Sequence, residues 1–215
     1  LGRGSNPILF PPKPLEEADI LLIESTYGDR SNEVEDVESI LEKEVNKAID
    51  RGGVLLIPAF AVGRTQLLMH YLEKLMQKNT IPRIPIYVDS PRAINATEVY
   101  KKHPDYHRLD MGSDQDFSFF NFPEIRYIRD QNMSNDLANI KDNAIIISAS
   151  GMCTGGRIMQ HLYHRLKREN DTVLFVGYQA ELTRGSRILN GEGSVKIFGE
   201  QVPVNCAVAQ IHGLS

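Results

Sequence analysis

The segment 150–157 (SGMCTGGR) carries the residues of this chain that are best suited to bind a ligand. Its three glycines allow backbone N–H groups to converge, and a helix predicted directly after it adds the partial positive charge of a helix N-terminus. Arg157 supplies a cation at the mouth of the same turn. The segment predicts a phosphate cradle. A tight strand-to-helix turn that needs glycine only for steric reasons is an equal alternative.

Further charged residues follow other apolar runs. Arg64 and Arg92 each open a predicted helix after a strand, and together with Arg157 they indicate a shared anionic ligand, although each alone is typical of a surface arginine. Glu24 ends an apolar run as either a structural hydrogen-bond acceptor or the partner of a catalytic cation. Ser25, directly after it, is placed to cap or to contact a ligand.

The sequence lacks the common signatures of catalysis. No Gly-Lys-Ser/Thr, Gly-x-Gly-x-x-Gly or Gly-x-Ser-x-Gly motif is present, and no Cys-x-x-Cys or His-Glu-x-x-His pattern suits a metal. Pro104 separates His103 from His107, while the pair His161 and His164 is typical of a helix surface. The residues therefore indicate a phosphate-bearing ligand but supply no nucleophile, metal cage or acid–base pair.

Charge and composition limit the function classes. Lys and Arg total 24 against 28 Asp and Glu, for a net charge of -4, which excludes a generally basic nucleic-acid binder but allows a local basic cleft. Two cysteines exclude a disulfide framework. No apolar run approaches the ~20 residues of a membrane-spanning helix, and the first residues do not form a signal peptide, so we expect a cytoplasmic protein. Leu1 in place of Met suggests that the chain begins within a longer protein.

Short apolar runs alternate with helical periodicity, which predicts an α/β fold of three layers: a mostly parallel sheet with helices on both faces. In such a sheet, ligands bind beyond the carboxyl ends of the strands. The predicted strands are 18–24, 54–58, 84–89, 124–129 (at an edge), 144–149 and 172–177, with a hairpin of 195–198 and 202–211. The predicted helices are 34–49, 64–76, 93–102, 135–140 (with Ser134 as N-cap), 157–168 and 184–189.

Five segments carry a family resemblance: 18–30 (ADILLIESTYGDR), 57–64 (IPAFAVGR), 86–92 (IYVDSPR), 148–157 (SASGMCTGGR) and 176–181 (VGYQAE). In this order and spacing they resemble the β-CASP branch of the metallo-β-lactamase-fold nucleases, in particular the exonuclease-like RNA-processing members of bacteria and archaea. The resemblance implies a Rossmann-like β-CASP domain over 31–190. It also implies that 1–30 and 191–215 are stubs of a metallo-β-lactamase domain, including short terminal strands.

The resemblance also implies roles for individual residues. Glu24 matches the acidic motif that orients a catalytic histidine. The residues implied to contact RNA lie around the cleft between the two domains: Ser25, Thr26, Tyr27, Arg64, Ser90, Ser150, Gly151, Gly155, Gly156, Arg157 and Ser215. The sequence departs from the family at the metal: His-x-His-x-Asp-His and the bridging aspartate are absent, and the next histidine motif would follow Ser215. Arg92 stands where many relatives have Met.

We therefore expect the β-CASP portion of a ribonuclease that hydrolyses RNA phosphodiesters with two zinc ions held by the missing half. Its expected partners are single-stranded RNA and the metallo-β-lactamase domain of the same parent chain, with no membrane; a homodimer is an open alternative. The chain alone lacks the metal ligands, so no cofactor and no nuclease activity are expected of it. The other interpretation is a non-catalytic β-CASP module that binds RNA or protein.

Overall fold

The computed structural model describes residues 6–25, 28, 36–109 and 120–214. Six α-helices lie within these ranges: α1 Val37–Asp50, α2 Arg64–Gln77, α3 Pro91–Lys102, α4 Gln131–Asp136, α5 Ile158–Arg165 and α6 Arg184–Leu189. Eight strands accompany them: β1 Val54–Pro58, β2 Ile86–Asp89, β3 Ile125–Tyr127, β4 Ala144–Ser148, β5 Thr172–Phe175, β6 Ser194–Ile197, β7 Glu200–Pro203 and β8 Ala207–Gln210. None of the described helices has the length and apolarity needed to cross a membrane.

Six strands form one sheet in the order β3-β2-β4-β1-β5-β8, and every pairing in it is parallel. The central strands β1, β4 and β5 are buried along their whole length, as their uninterrupted apolar sequences predicted. β3 lies at the edge, as predicted. Because all six strands run the same way, the loops that follow them gather at one edge of the sheet.

Both faces of the sheet are covered by helices. Leu55 and Ile57 of β1 join a core with side chains of α1, α2 and α3. Val54 and Leu56, which alternate with them, join a second core with α5 and α6. A strand places successive side chains on opposite faces, so each face buries its own apolar cluster. The predicted three-layer α/β fold is confirmed.

Side-chain caps fix several of the helix starts. Asp36 accepts a hydrogen bond from Ser39 N at the start of α1, and Ser90 accepts one from Ala93 N at the start of α3, where Pro91 follows. The predicted cap at Ser134 is wrong. Asp130 caps α4 instead and accepts from two backbone N–H groups, which places Ser134 inside the helix, where it is buried.

Two further strand predictions are wrong. Residues 18–24 form no strand and are exposed, with Leu22 91% accessible; they pair with neither of the edge strands β3 and β8. The predicted strand 202–211 is two strands. β7 closes an antiparallel hairpin with β6, whereas β8 pairs in parallel with β5 at the edge of the main sheet. Residues 191–215 thus contribute a strand to the central sheet; the division into three domains stays a prediction.

Candidate functional site

Three strand ends lie side by side at the carboxyl edge of the sheet. Pro58 of β1 and Asp89 of β2 both pair in register with Ser148 of β4, which lies between them. Ser148 Oγ donates to the main-chain oxygen of Asp89 over 2.8 Å and locks the two strand ends together. The loops that carry most of the described site residues leave the sheet at these points. We call this region the strand-end cleft.

The glycine-rich loop 150–157 folds around the Ser150 hydroxyl. Ser150 Oγ accepts the N–H of Thr154 at 3.1 Å, and Ser150 N donates to the carbonyl of Gly155 at 3.1 Å. Ile158 N donates back to Ala149 O, which joins the loop to the first turn of α5. These short-range hydrogen bonds hold the loop closed on itself and leave its outer face for a ligand.

The loop glycines have different roles. Gly156 has φ +84°, and a Cβ there would lie 2.5 Å from Ala149 O, so this position requires glycine. Gly151 packs against the Phe60 ring, and a Cβ at this position would lie 3.2 Å from that ring. A Cβ on Gly155 would meet nothing within 4 Å. Within the described part of the chain, the N–H groups of Gly155 and Gly156 have no backbone acceptor. Gly155 is therefore where an anion can approach the backbone.

Arg157 was predicted to place its guanidinium at the mouth of the loop, but in the structure that group binds oxygen atoms of the protein. Its Nη1 donates to Asp89 Oδ1 at 2.7 Å and to Ile128 O at 2.8 Å, and its Nη2 donates to Arg129 O at 2.7 Å. The guanidinium thus joins the glycine-rich loop to the ends of β2 and β3. A direct contact between Arg157 and RNA stays a prediction; the structure shows a positioning role.

Asp89 is the centre of a buried polar cluster beneath the loop. Its carboxylate, 0% exposed, accepts from the Ser134 hydroxyl at 2.5 Å and lies 2.6 Å from His161 Nε2, in addition to the Arg157 contact. Burial raises the pKa of this carboxyl, but the hydrogen bonds from His161, Ser134 and Arg157 lower it, and the net pKa lies below its ordinary value. Asp89 therefore anchors the loop as an anion.

The prediction of a surface position for His161 is wrong. The side chain is buried on the inner face of α5, where it contacts the Asp89 carboxylate. Sequence reasoning missed both Asp89 and His161. A signal was present for the histidine, because Ile158, His161 and Leu162 share the helix face that apolar periodicity assigns to the core. No local pattern connects it to Asp89, which is 72 residues away.

The structure describes some of the other predicted site residues. Arg64 begins α2 and donates through Nη1 to Leu214 O, which ties the start of α2 to the tail of the chain. Ser90 is buried and caps α3. Glu24 and Ser25 are exposed and belong to no helix or strand, so the expected buried strand before Glu24 is absent. Three of the predicted residues lie outside the described part of the chain: Thr26, Tyr27 and Ser215.

The donor set of the described residues does not suit a metal ion. Among the described residues, no three His, Cys, Asp or Glu side chains lie close enough together to hold a metal ion. Asp89 and His161 are adjacent, but Arg157 and Ser134 use the remaining carboxylate positions. The described residues therefore do not fit a zinc centre, and what the site offers is an anchored loop with exposed backbone donors.

The fold and site define a parallel α/β domain with a glycine-rich loop at the carboxyl edge of its sheet. A family model described as the Beta-Casp domain matches residues 65–188, more than half of the chain. The chain therefore belongs to the Beta-Casp domain family, as its sequence motifs indicated.

Curated relatives agree with this assignment. The chain is 32% identical over its whole length to Ribonuclease TTHA0252 of Thermus thermophilus, of which it covers 50%. It is 30% identical over 98% of its length to an RNase J-like protein of Methanocaldococcus jannaschii, of which it covers 49%. It is 36% identical over 85% of its length to transcription termination factor FttA of Methanothermobacter thermautotrophicus, of which it covers 29%. The chain thus spans half or less of these relatives.

Proposed function

We propose that this chain is the β-CASP portion of a zinc-dependent ribonuclease and holds single-stranded RNA over a two-zinc site in a metallo-β-lactamase domain of the same protein. The complete protein would hydrolyse RNA phosphodiester bonds. Because the described residues do not fit a zinc centre, the contribution of this chain is to bind and orient the RNA strand.

The observation that carries the proposal is the open face of Gly155 at the carboxyl edge of the sheet, inside the region that matches the family. Exposed backbone N–H groups beside a helix start suit a phosphate of any nucleotide, which positions a strand without reading its sequence. The ribonuclease names of two relatives support RNA as the source of that phosphate. The net charge of -4 requires the binding to be local.

The binding test uses the 215-residue chain and a fluorescein-labelled single-stranded RNA, followed by fluorescence anisotropy at low salt. We expect saturable binding that weakens as salt is added. Gly155→Asp should weaken it about tenfold or more, because a carboxylate then faces the phosphate. Gly193→Asp is the matched control, since a Cβ on Gly193, like one on Gly155, would meet nothing within 4 Å. Equal affinities for the two variants would contradict the proposed site.

The cleavage test separates this chain from the complete protein. Incubation of the 215-residue chain with labelled RNA and zinc should leave the RNA intact, whereas the complete protein should cleave it. Cleavage by the 215-residue chain that survives repeated purification would overturn the predicted inactivity. A complete protein that binds RNA and does not cleave it would favour the alternative, a non-catalytic β-CASP module.

A further inference from the structure

A second depression lies beside the glycine-rich loop. It has a volume of about 530 Å³ and is formed by α6 and the β6–β7 hairpin; we call it the hairpin pocket. Thr154 of the glycine-rich loop forms part of its wall, so the pocket borders the surface on which Gly155 is open. Its volume falls in the range of sites that hold one small ligand group.

Three cations line this pocket: Arg184, Arg187 and Lys196. Arg184 Nε donates to Lys196 O at 2.8 Å, and its Nη1 donates to Cys153 O at 2.5 Å, so it fixes the hairpin to the glycine-rich loop. Arg187 is paired with Glu192 at 2.6 Å. The ammonium of Lys196, in contrast, has neither a carboxylate nor another acceptor among the described residues.

Two exposed apolar side chains complete the pocket. Leu182 is 94% exposed at φ +63°, and Phe198 is 63% exposed at φ +50°. The left-handed backbone is unfavourable for leucine. At Phe198 it belongs to the two-residue turn between β6 and β7, in which Gly199 also has a positive φ, so the turn fixes the position of the ring. Phe198 also contacts the ring of Tyr163, with centroids 5.9 Å apart, which supports it from one side. The pocket thus presents a braced aromatic ring next to an ammonium group that has no acceptor within the described part of the chain.

We propose that the hairpin pocket is a second RNA subsite, in which a base packs against Phe198 and the neighbouring phosphate pairs with Lys196. An aromatic platform beside a cation is the arrangement that binds single-stranded nucleic acid without sequence preference. Thr154 links this subsite to the glycine-rich loop, so one strand can occupy both. The carboxylate of Glu181, also in the wall, would repel a ligand whose contacts were all negatively charged. The inference rests on the proposed function, since it assigns a further contact for the same RNA.

The test measures affinity and salt dependence for a twelve-nucleotide single-stranded RNA. Phe198→Ala should weaken binding about fivefold or more and leave the salt slope unchanged, because stacking involves no counterion. Lys196→Ala should weaken binding and reduce the slope by about one. Matched controls lie on the opposite face of the sheet: Tyr106→Ala removes an exposed ring and Lys43→Ala removes an exposed ammonium. Neither control should change affinity or slope.

The outcomes separate this inference from the proposed function. If the unaltered chain binds RNA and Gly155→Asp weakens it, while Phe198→Ala and Lys196→Ala behave like their controls, the second subsite is refuted and the proposed function stands. If the unaltered chain does not bind RNA, both fail. If a glutamate-rich peptide binds and Lys196→Ala abolishes that binding with RNA affinity unchanged, the pocket is a protein-docking site and our assignment is wrong. Circular dichroism confirms that each variant is folded.

Discussion

Arg157 donates to three oxygens of the protein, and its main partner is a carboxylate with no contact to solvent. Removing a cation from a buried pair leaves the anion desolvated and short of a partner. Arg157 therefore stabilises the Asp89 carboxylate and, through it, the position of the glycine-rich loop.

Arg157→Ala should lower the free energy of unfolding by about 3 kcal/mol. Arg92→Ala provides the control: Arg92 occupies the equivalent place after β2 but is exposed, so its loss should change stability by about 0.5 kcal/mol or less. Urea denaturation measures both. A direct phosphate contact by Arg157 would also reduce the salt slope of RNA binding by about one, whereas a purely positioning role leaves the slope unchanged.

At the scale of elements, the glycine-rich loop depends on two glycines in different ways. Gly156→Ala should destabilise the fold by about 2 kcal/mol, because its methyl group would collide with Ala149 O in a backbone conformation that disfavours alanine. Gly155→Ala should leave stability unchanged, since its methyl group meets open space. Thermal unfolding of both variants checks this, and equal melting temperatures would contradict the role given to Gly156.

Some of these elements could be predicted from the sequence, and others could not. The uninterrupted apolar run 54–58 and the periodic run 64–76 predicted β1 and α2 within a residue, because their burial follows from local pattern. The glycine-rich loop 150–157 likewise lies between β4 and α5, as its position in the sequence pattern predicted. Ser134 was misassigned because the helix begins earlier: Asp130 accepts from Asn132 N and Met133 N and so caps α4 four residues before Ser134.

The remaining errors concern long-range contacts. The burial of His161 depends on Asp89, and no periodicity within α5 identifies that partner. The run 18–24 is apolar enough to form a strand, but a strand also has to pair with a neighbour, and this run pairs with neither edge of the described sheet. β8 is only half-buried, so its sequence did not distinguish pairing with β5 from continuation of the hairpin.

At the scale of the whole molecule, two buried carboxyl groups whose pKa values shift in opposite directions make the stability depend on pH. The pKa of Asp89 lies below its ordinary value, so the stability that it contributes is present above about pH 4 and is lost as the pH falls through its folded-state pKa. The pKa of Glu73 on α2 is shifted in the opposite direction. Burial, and then the charge of Glu124, raise its pKa to about 7.

For Glu73 the folded chain binds the proton more tightly than the unfolded chain, so stability is lost as the pH rises from about 4.5 to about 7. Glu73→Gln should remove this loss and raise the free energy of unfolding by about 2 kcal/mol at pH 8. At pH 5 the increase in the free energy of unfolding should be smaller. Exposed Glu169→Gln is the control, and a difference that does not vary with pH would contradict the assignment.

The order of strands in the sheet also determines when the chain can fold during synthesis. β1 is the third strand from one edge, and its two neighbours, β4 and β5, follow roughly 90 and 120 residues later in the chain. At about 5–20 residues per second, on the order of ten seconds passes before a ribosome supplies them. During that interval the apolar segment 54–58 has no strand to pair with and depends on α1 and α2 for cover. A chaperone that recognises short apolar segments would therefore encounter this strand early in translation.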